Sequence, residues 1–285
     1  MAPGPAGRVG PPGSGPRAYT ADLHVHTVLS PCAAVEMIPP LIVRQALARG
    51  LDLIAITDHN ASANAGAVQR AAAGTGLTVL PGMELQTVEE VHLLCLFDTL
   101  EQVSTWQESV DARMPPVENV PDIFGEQFVV NETGELIRRE TRLLTGSVRM
   151  RLKEAVGEVR RLGGLAIPAH VDRPTYSLSA SLGFPPPGLL VDALEISPHS
   201  TPATASARFP WLANYRLVQN GDVHHLDDFA ATTVFVLAAP TIGEIRLALH
   251  ERDSRSCTII PRRAEDTSPQ SSQSTQRTPP GVSGA

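Results

Sequence analysis

The chain has 285 residues, 42% of them hydrophobic, enough for one large α/β barrel or two ordinary domains. Aromatic residues make up only 4%, so the core is expected to be built from Ala, Val, Leu and Ile. The net charge of -7 argues against loose binding to nucleic acid or anionic membranes, but it leaves room for a local phosphate site, because bound metal ions bring their own positive charge.

Residues 1–17 are mostly Gly, Pro, Ala and Arg, and residues 264–285 are mostly Ser, Thr, Gln and Pro. Both stretches lack the apolar side chains that offset ordering entropy and read as disordered tails around a folded body at 18–263. Within it, short apolar runs at 19–25, 53–57, 77–80, 91–97, 165–168, 193–196, 216–219 and 232–237 read as strands. Helices are expected between them. The segment 40–49 opens with prolines and closes at Gly50, 63–73 closes at Gly74, and 100–114 stops at Pro115. The segment 148–162 closes at Gly163-Gly164, and 241–250 follows a proline. This alternation predicts an α/β fold with a parallel sheet closed into a barrel. The rhythm breaks at 114–147, where Asn131-Glu132-Thr133-Gly134 between two short apolar runs predicts a β-hairpin, in an insertion over the barrel mouth. Cys32, Cys95 and Cys257 form no CxxC pair, no apolar signal segment opens the chain, and no apolar run is long enough for a bilayer. A reduced, cytoplasmic setting without a membrane partner is expected.

The chemistry gathers at the strand ends. In Asp22-Leu23-His24-Val25-His26-Thr27, strand alternation turns Asp22, His24 and His26 to one face. The run at 53–57 leads into Asp58-His59-Asn60, 77–80 leads to Glu84, 165–168 to His170, and 216–219 to Asp222 and His224. His92 stands at the start of its own strand. In parallel α/β barrels the carboxyl ends of the strands form the active-site face. A lone histidine at a strand end is usually structural, and Asp58 or Asp222 could simply cap a helix. Six of the nine histidines and two acids on one rim point instead to a metal cluster. Imidazoles mixed with carboxylates suit Zn, Mn or Fe better than Ca or Mg, and eight donors exceed the needs of one ion, so two or three are expected. Such a cluster lowers the pKa of water to make hydroxide and neutralises a phosphoryl group. The carboxylated-lysine bridge used by many dinuclear amide hydrolases is not expected, since Lys153, the sole lysine, lies in a predicted helix.

These motifs, together with Gly82-Met83-Glu84, Pro168-Ala169-His170 and Gly221-Asp222-Val223-His224, resemble those of the polymerase and histidinol phosphatase (PHP) family, in the same order. The resemblance is to its small stand-alone metal-dependent phosphoesterase branch. It implies a distorted seven-stranded, TIM-like β/α barrel and a cluster of two or three divalent ions. It also implies that His24, His26, Glu84 and Asp222 hold one ion, Glu84, His92 and His170 a second, and His59 and His224 a third. Asp22 would orient an imidazole from behind. One position departs from the pattern: Ser30-Pro31-Cys32 stands where the branch has Ser-Asp-Gly. Cys32 replaces the missing ligand, or Glu36 reaches in, or the third ion binds weakly.

Arg173, three residues after His170, is placed to grip a substrate phosphate, with Tyr176 as a further wall. Arg173 and Asp22 are thus the expected catalytic residues. The expected activity is hydrolysis of small, nucleotide-type phosphomonoesters. The alternatives are a 5′–3′ exonuclease on short RNA or DNA using the same cluster, and a non-catalytic metal-binding regulatory module.

Overall fold

The computed structural model describes residues 15–261. Most of the two expected tails lies outside the described residues, but Arg17 already belongs to the first strand, paired with Leu237.

Among the described residues, eleven strands and eight helices follow one another. They begin β1 (Arg17–Val25), α1 (Pro39–Ala48), β2 (Leu53–Ile56), α2 (Ala65–Ala71), β3 (Thr78–Gln86), β4 (His92–Leu96) and α3 (Leu100–Asp111). The insertion brings α4 (Pro121–Phe124), β5 (Phe128–Val130) and β6 (Leu136–Arg139). Then come α5 (Leu152–Arg161), β7 (Leu165–Pro168), α6 (Leu178–Leu182), β8 (Leu194–Ile196), α7 (Pro202–Arg208), β9 (Leu217–Gln219), β10 (Thr233–Leu237), α8 (Ile242–Leu249) and β11 (Ser256–Ile259). Local chemistry sets the helix starts: prolines occupy the first turn of α1, and Thr99 with Gln102 forms a reciprocal cap on α3. Among the described residues, no helix is long and apolar enough to cross a membrane.

Seven strands form one curled sheet in the order β11-β10-β1-β2-β3-β4-β7. Two expectations are corrected here. The sheet is mixed, because β4 runs antiparallel to both β3 and β7, and β10 runs antiparallel to β1. The cause is the short connection from β3 to β4, where Thr87 N–H donates to the Val91 carbonyl; so tight a turn can only return the chain antiparallel. Nor is the barrel closed. β8 and β9 pair only with each other and stand in the gap, β8 beside β7 and β9 beside β11. At three residues each they offer few ladder bonds to the edges of the main sheet. The fold is a half-barrel.

β3 does double duty. Thr78–Pro81 pair with β2, while Gly82–Gln86 pair with β4. At the changeover a Cβ on Gly82 would lie 2.9 Å from the Cys95 carbonyl oxygen and 3.1 Å from that of Ile56, so only glycine lets three strands meet there.

Leu23, Leu53, Leu94, Leu96, Ile167, Phe235 and Leu237 fill the inside of the curl, with Ile242, Ile245 and Leu249 of α8 packed against them. Aliphatic layers outside it hold α1 and α2 on one flank, and α3 and α5 on the other. The expected hairpin is present as β5–β6. The insertion is seated on the loops after β1 and β2: Phe128 N–H donates to the Val28 carbonyl, and the Asn60 side chain donates to the carbonyls of Leu144 and Gly146, both at 2.7 Å.

Candidate metal centre

β1 delivers His24 and His26, β3 Glu84, and β4 His92. The residues just after β2, β7 and β9 deliver His59, His170, and the pair Asp222 and His224. Because β4 is reversed, its first residue reaches the rim that the other strands reach with their last. All of these except His224 are buried. His59, Glu84, His92, His170, Asp222 and His224 line a cavity of about 280 Å³ whose walls also include Cys32, Thr145, Arg173 and Tyr176. Asn60, His170, Tyr176 and Asp222 have left-handed backbone, with φ of 47°, 30°, 51° and 51°. Non-glycine residues hold that geometry only where their surroundings enforce it, typically at functional sites.

The centre is a knot of lone pairs. His24 Nε2 lies 3.2 Å from Glu84 Oε1, 3.1 Å from Asp222 Oδ1 and 3.1 Å from His26 Nε2. His26 Nε2 in turn lies 3.4 Å from Glu84 Oε2 and 3.3 Å from Asp222 Oδ1. Around Glu84 stand His59 Nδ1 at 3.0 Å, His92 Nδ1 at 2.9 Å and His170 Nε2 at 3.2 Å. Three sets can each surround an ion: His24, His26, Glu84 and Asp222; His59, Glu84 and His92; and His26, His59 and His224. The first is the expected set. In the second, His59 takes the place expected for His170, which stays attached through Glu84. In the third, His26 joins the expected His59 and His224.

Hydrogen bonds behind the rings fix their tautomers. His24 Nδ1 faces the Glu195 carboxylate at 3.1 Å, so the proton sits there and Nε2 presents its lone pair to the centre. Ser30 Oγ donates to Asp58 Oδ1, so it accepts from His26 Nδ1 at 2.9 Å, and Nε2 is the nitrogen turned to the centre. His59 Nδ1, Glu84 Oε2, His170 Nδ1 and Asp222 Oδ1 are buried and make no well-aligned hydrogen bond, although His59 Nδ1 and Glu84 Oε2 stand 3.0 Å apart. Buried polar atoms are rarely left so, and four in one knot fit divalent cations.

The charge balance agrees. Burial works to raise Glu84 and Asp222, yet the surrounding imidazoles outweigh it and hold both well below the carboxylate range. Burial works to lower His26 and His59, but the carboxylates prevail and hold both up at about 9. For His92 and His224 burial wins, and they fall to about 4 and about 3. Protons on some imidazoles thus supply positive charge that cations can replace.

Two expected roles are reassigned. The Asp22 carboxylate touches no imidazole; it accepts backbone N–H groups from Gly221 at 3.1 Å, Ala230 at 2.9 Å and His24 at 3.3 Å. The bulge in the β1–β2 register beyond Asp22 breaks simple alternation, and Asp22 fastens the loops around β9 and β10 to β1. Burial raises its pKa to about 6. Glu195 of β8 takes the expected part, bracing His24 while accepting from His170 N–H at 2.8 Å and Asn220 Nδ2 at 2.7 Å. Its one sequence signal is an acid flanked by Leu194 and Ile196 in an apolar run. Asp58 caps no helix and instead accepts from Thr27 N–H at 2.7 Å and from the hydroxyls of Thr27 and Ser30, both at 2.8 Å, which anchors the loop after β1. Arg173 reaches the cavity and pairs through Nη1 with Asp222 Oδ2. Of the two candidates in the loop after β1, Cys32 lines the cavity and Glu36 does not. Lys153 is exposed on the outer face of α5, with Nζ near the Pro187 carbonyl. The three cysteines are free.

An α/β half-barrel with a rim of histidines and carboxylates is suited to holding metal ions. Residues 22–140 match the family model of the PHP domain. That match ends with β6, before His170, Asp222 and His224. No curated protein matches the sequence. Among solved structures, the fold is similar to a lesion-specific endonuclease from Pyrococcus furiosus, at 20% identity and TM-score 0.62, covering 85% of this chain and 58% of that one. It is similar to Endonuclease Q in complex with a 27-mer duplex bearing an abasic lesion at the active site, at 18% identity and TM-score 0.59, covering 84% and 58%. It is also similar to a two-domain protein from Bacteroides vulgatus that contains a predicted PHP-like metal-dependent phosphoesterase, at 16% identity and TM-score 0.52, covering 90% and 70%. The chain thus spans a little over half the length of the two endonucleases.

Proposed function

We propose that the protein hydrolyses phosphate esters in a metal-dependent reaction, with small nucleotide-type phosphomonoesters as substrates. The observation that carries this reading is the convergence of His24 Nε2, His26 Nε2 and Asp222 Oδ1 within 3.3 Å of one another, with Glu84 beside them. Two or three divalent ions of the Mn, Zn or Fe type would supply Lewis acidity toward a phosphoryl oxygen and lower the pKa of water. The protein's own part is placement. Glu195 and Ser30 keep the lone pairs of His24 and His26 turned inward. Arg173 restrains Asp222 Oδ2 with one nitrogen and offers its remaining N–H groups to the equatorial oxygens of the phosphoryl group. The cavity admits a phosphate and part of its leaving group, with Tyr176 as a wall.

The test is hydrolysis of an aryl phosphate by the full chain with added Mn or Zn, against a variant carrying His24→Ala and His26→Ala. The double variant is expected to lose at least about a thousandfold in kcat/KM, about 4 kcal/mol of transition-state stabilisation. Equal activity would overturn the proposal. The likeness to endonucleases favours a second reading, cleavage of nucleic acid by the same rim. Turnover of a duplex with an abasic site or of short RNA, at the expense of mononucleotides, would select it.

A further inference from the structure

The third donor set holds something that the family pattern does not supply. Cys32 Sγ lies 3.1 Å from His224 Nε2 and also approaches the His59 ring. His224 Nδ1 stands 2.9 Å from the Asp222 carbonyl oxygen, which can only accept, so the proton is on Nδ1 and the Nε2 lone pair faces the sulfur. His26 presents Nε2 for the same reason, through Ser30. His59 is nine-tenths buried, and its Nδ1, 3.0 Å from Glu84 Oε2, makes no well-aligned hydrogen bond. The ligand atoms of His26, His59 and His224 lie within 4.8 Å of one another. The backbone holds the thiol in register, because Ala34 N–H donates to the His224 carbonyl at 2.9 Å and Ala33 N–H to that of Ser30 at 2.9 Å.

We propose that Cys32 is a metal ligand, and that Cys32, His59 and His224 form a thiolate-containing, zinc-type site beside the oxygen-rich one. Two imidazoles and one thiolate, with a fourth position left for water, are a donor set of the kind that tetrahedral zinc takes. Sulfur discriminates against Mn and Mg, so the rim would be chemically graded: nitrogen and carboxylate donors around Glu84 and Asp222, nitrogen and sulfur donors around Cys32. The inference shares with the proposed function only the reading of the rim as a metal centre. Its readout does not depend on hydrolysis.

The experiment loads the full chain with Co(II) and records its absorption. The expected result is a thiolate-to-cobalt charge-transfer band in the near ultraviolet that disappears in Cys32→Ser and persists in Cys257→Ser, while the visible ligand-field bands of the other ions remain. Bound zinc is expected to fall by one equivalent in Cys32→Ser, and Cys32→Asp is expected to restore the stoichiometry without the band and to bind Mn at least about tenfold tighter than the wild type does. Cobalt binding without the band, or a band that survives Cys32→Ser, overturns the proposal. No cobalt binding at all overturns the metal reading of the whole rim. Should Cys32→Ser fail to fold, wild-type protein decides by alkylation: Cys32 is exposed, so it is expected to label readily without metal and to be protected at saturating zinc. Equal labelling in both states refutes its role as a ligand.

Discussion

Glu195→Gln tests how the centre is braced. The carboxylate takes three donors: His24 Nδ1 at 3.1 Å, His170 N–H at 2.8 Å and Asn220 Nδ2 at 2.7 Å. Glutamine keeps the shape but has one acceptor oxygen, so its amide NH₂ must confront a donor. Asn220 cannot turn to relieve the conflict, because its Oδ1 accepts Leu23 N–H at 2.8 Å. The substitution therefore removes a charge-assisted bond and leaves a buried donor unmatched, a cost of about 1.5–3 kcal/mol. Part of this falls on folding and part on the ligand role of His24. Partners behind metal-bound imidazoles are typically worth about 10–100-fold in metal affinity. Zinc or manganese binding by calorimetry, together with urea unfolding of metal-free protein, separates the two parts. The expected outcome is weaker metal binding by about tenfold or more and a lower unfolding midpoint. Affinity unchanged within about twofold, with unchanged stability, would refute the bracing role.

Two further outcomes concern the frame. Glu140 accepts from Arg142 Nε at 3.0 Å and Arg138 Nη1 at 3.1 Å; burial alone would raise its pKa, but the two arginines hold it at about 2. A depressed carboxylate contributes stability above its unfolded pKa and loses it as pH falls through the folded one, so Glu140→Gln is expected to cost about 1–2 kcal/mol at pH 7 after allowing for solvent screening at the partly exposed arginines. The gap from wild type in urea midpoints narrows as the pH falls from about 5 towards 3, and a gap independent of pH would disprove the assignment. Gly82→Ala forces a methyl group against the Cys95 and Ile56 carbonyls and is expected to destabilise by about 1–3 kcal/mol in urea, whereas wild-type stability would show that the strand crossing can relax.

Much of the rim was legible because each donor ends or begins a short apolar run, so its position could be read from hydropathy alone. His24, His26, Glu84 and Asp222 come together as their motifs imply. Glu195 was not legible: a single acid inside a three-residue strand carries no periodic signal, and its partner His24 is 171 residues away. Asp22 looked like part of the donor row, but a bulge turned its carboxylate to backbone N–H groups. The direction of β4 was hidden in the turn at Thr87–Val91 rather than in the strand, and β11, a short, half-exposed edge strand, has too few apolar residues to stand out. The open barrel follows from strand lengths at β8 and β9 that alternation does not specify.

The reversed β4 also separates the halves of the centre in time. Glu84 and His92 are eight residues apart and meet across one tight turn, whereas the contacts that bring Asp222 to His24 enclose nearly the whole body, as the 197-residue span from Leu23 to Asn220 shows. Closing a long loop costs more entropy than closing a short one, and contacts of short sequence separation form first. As the chain leaves the ribosome, His59, Glu84 and His92 exist together long before Asp222 has been synthesised. An ion taken up at that stage would occupy its site as a guest of the hairpin, and the later strands would fold around a charge already in place.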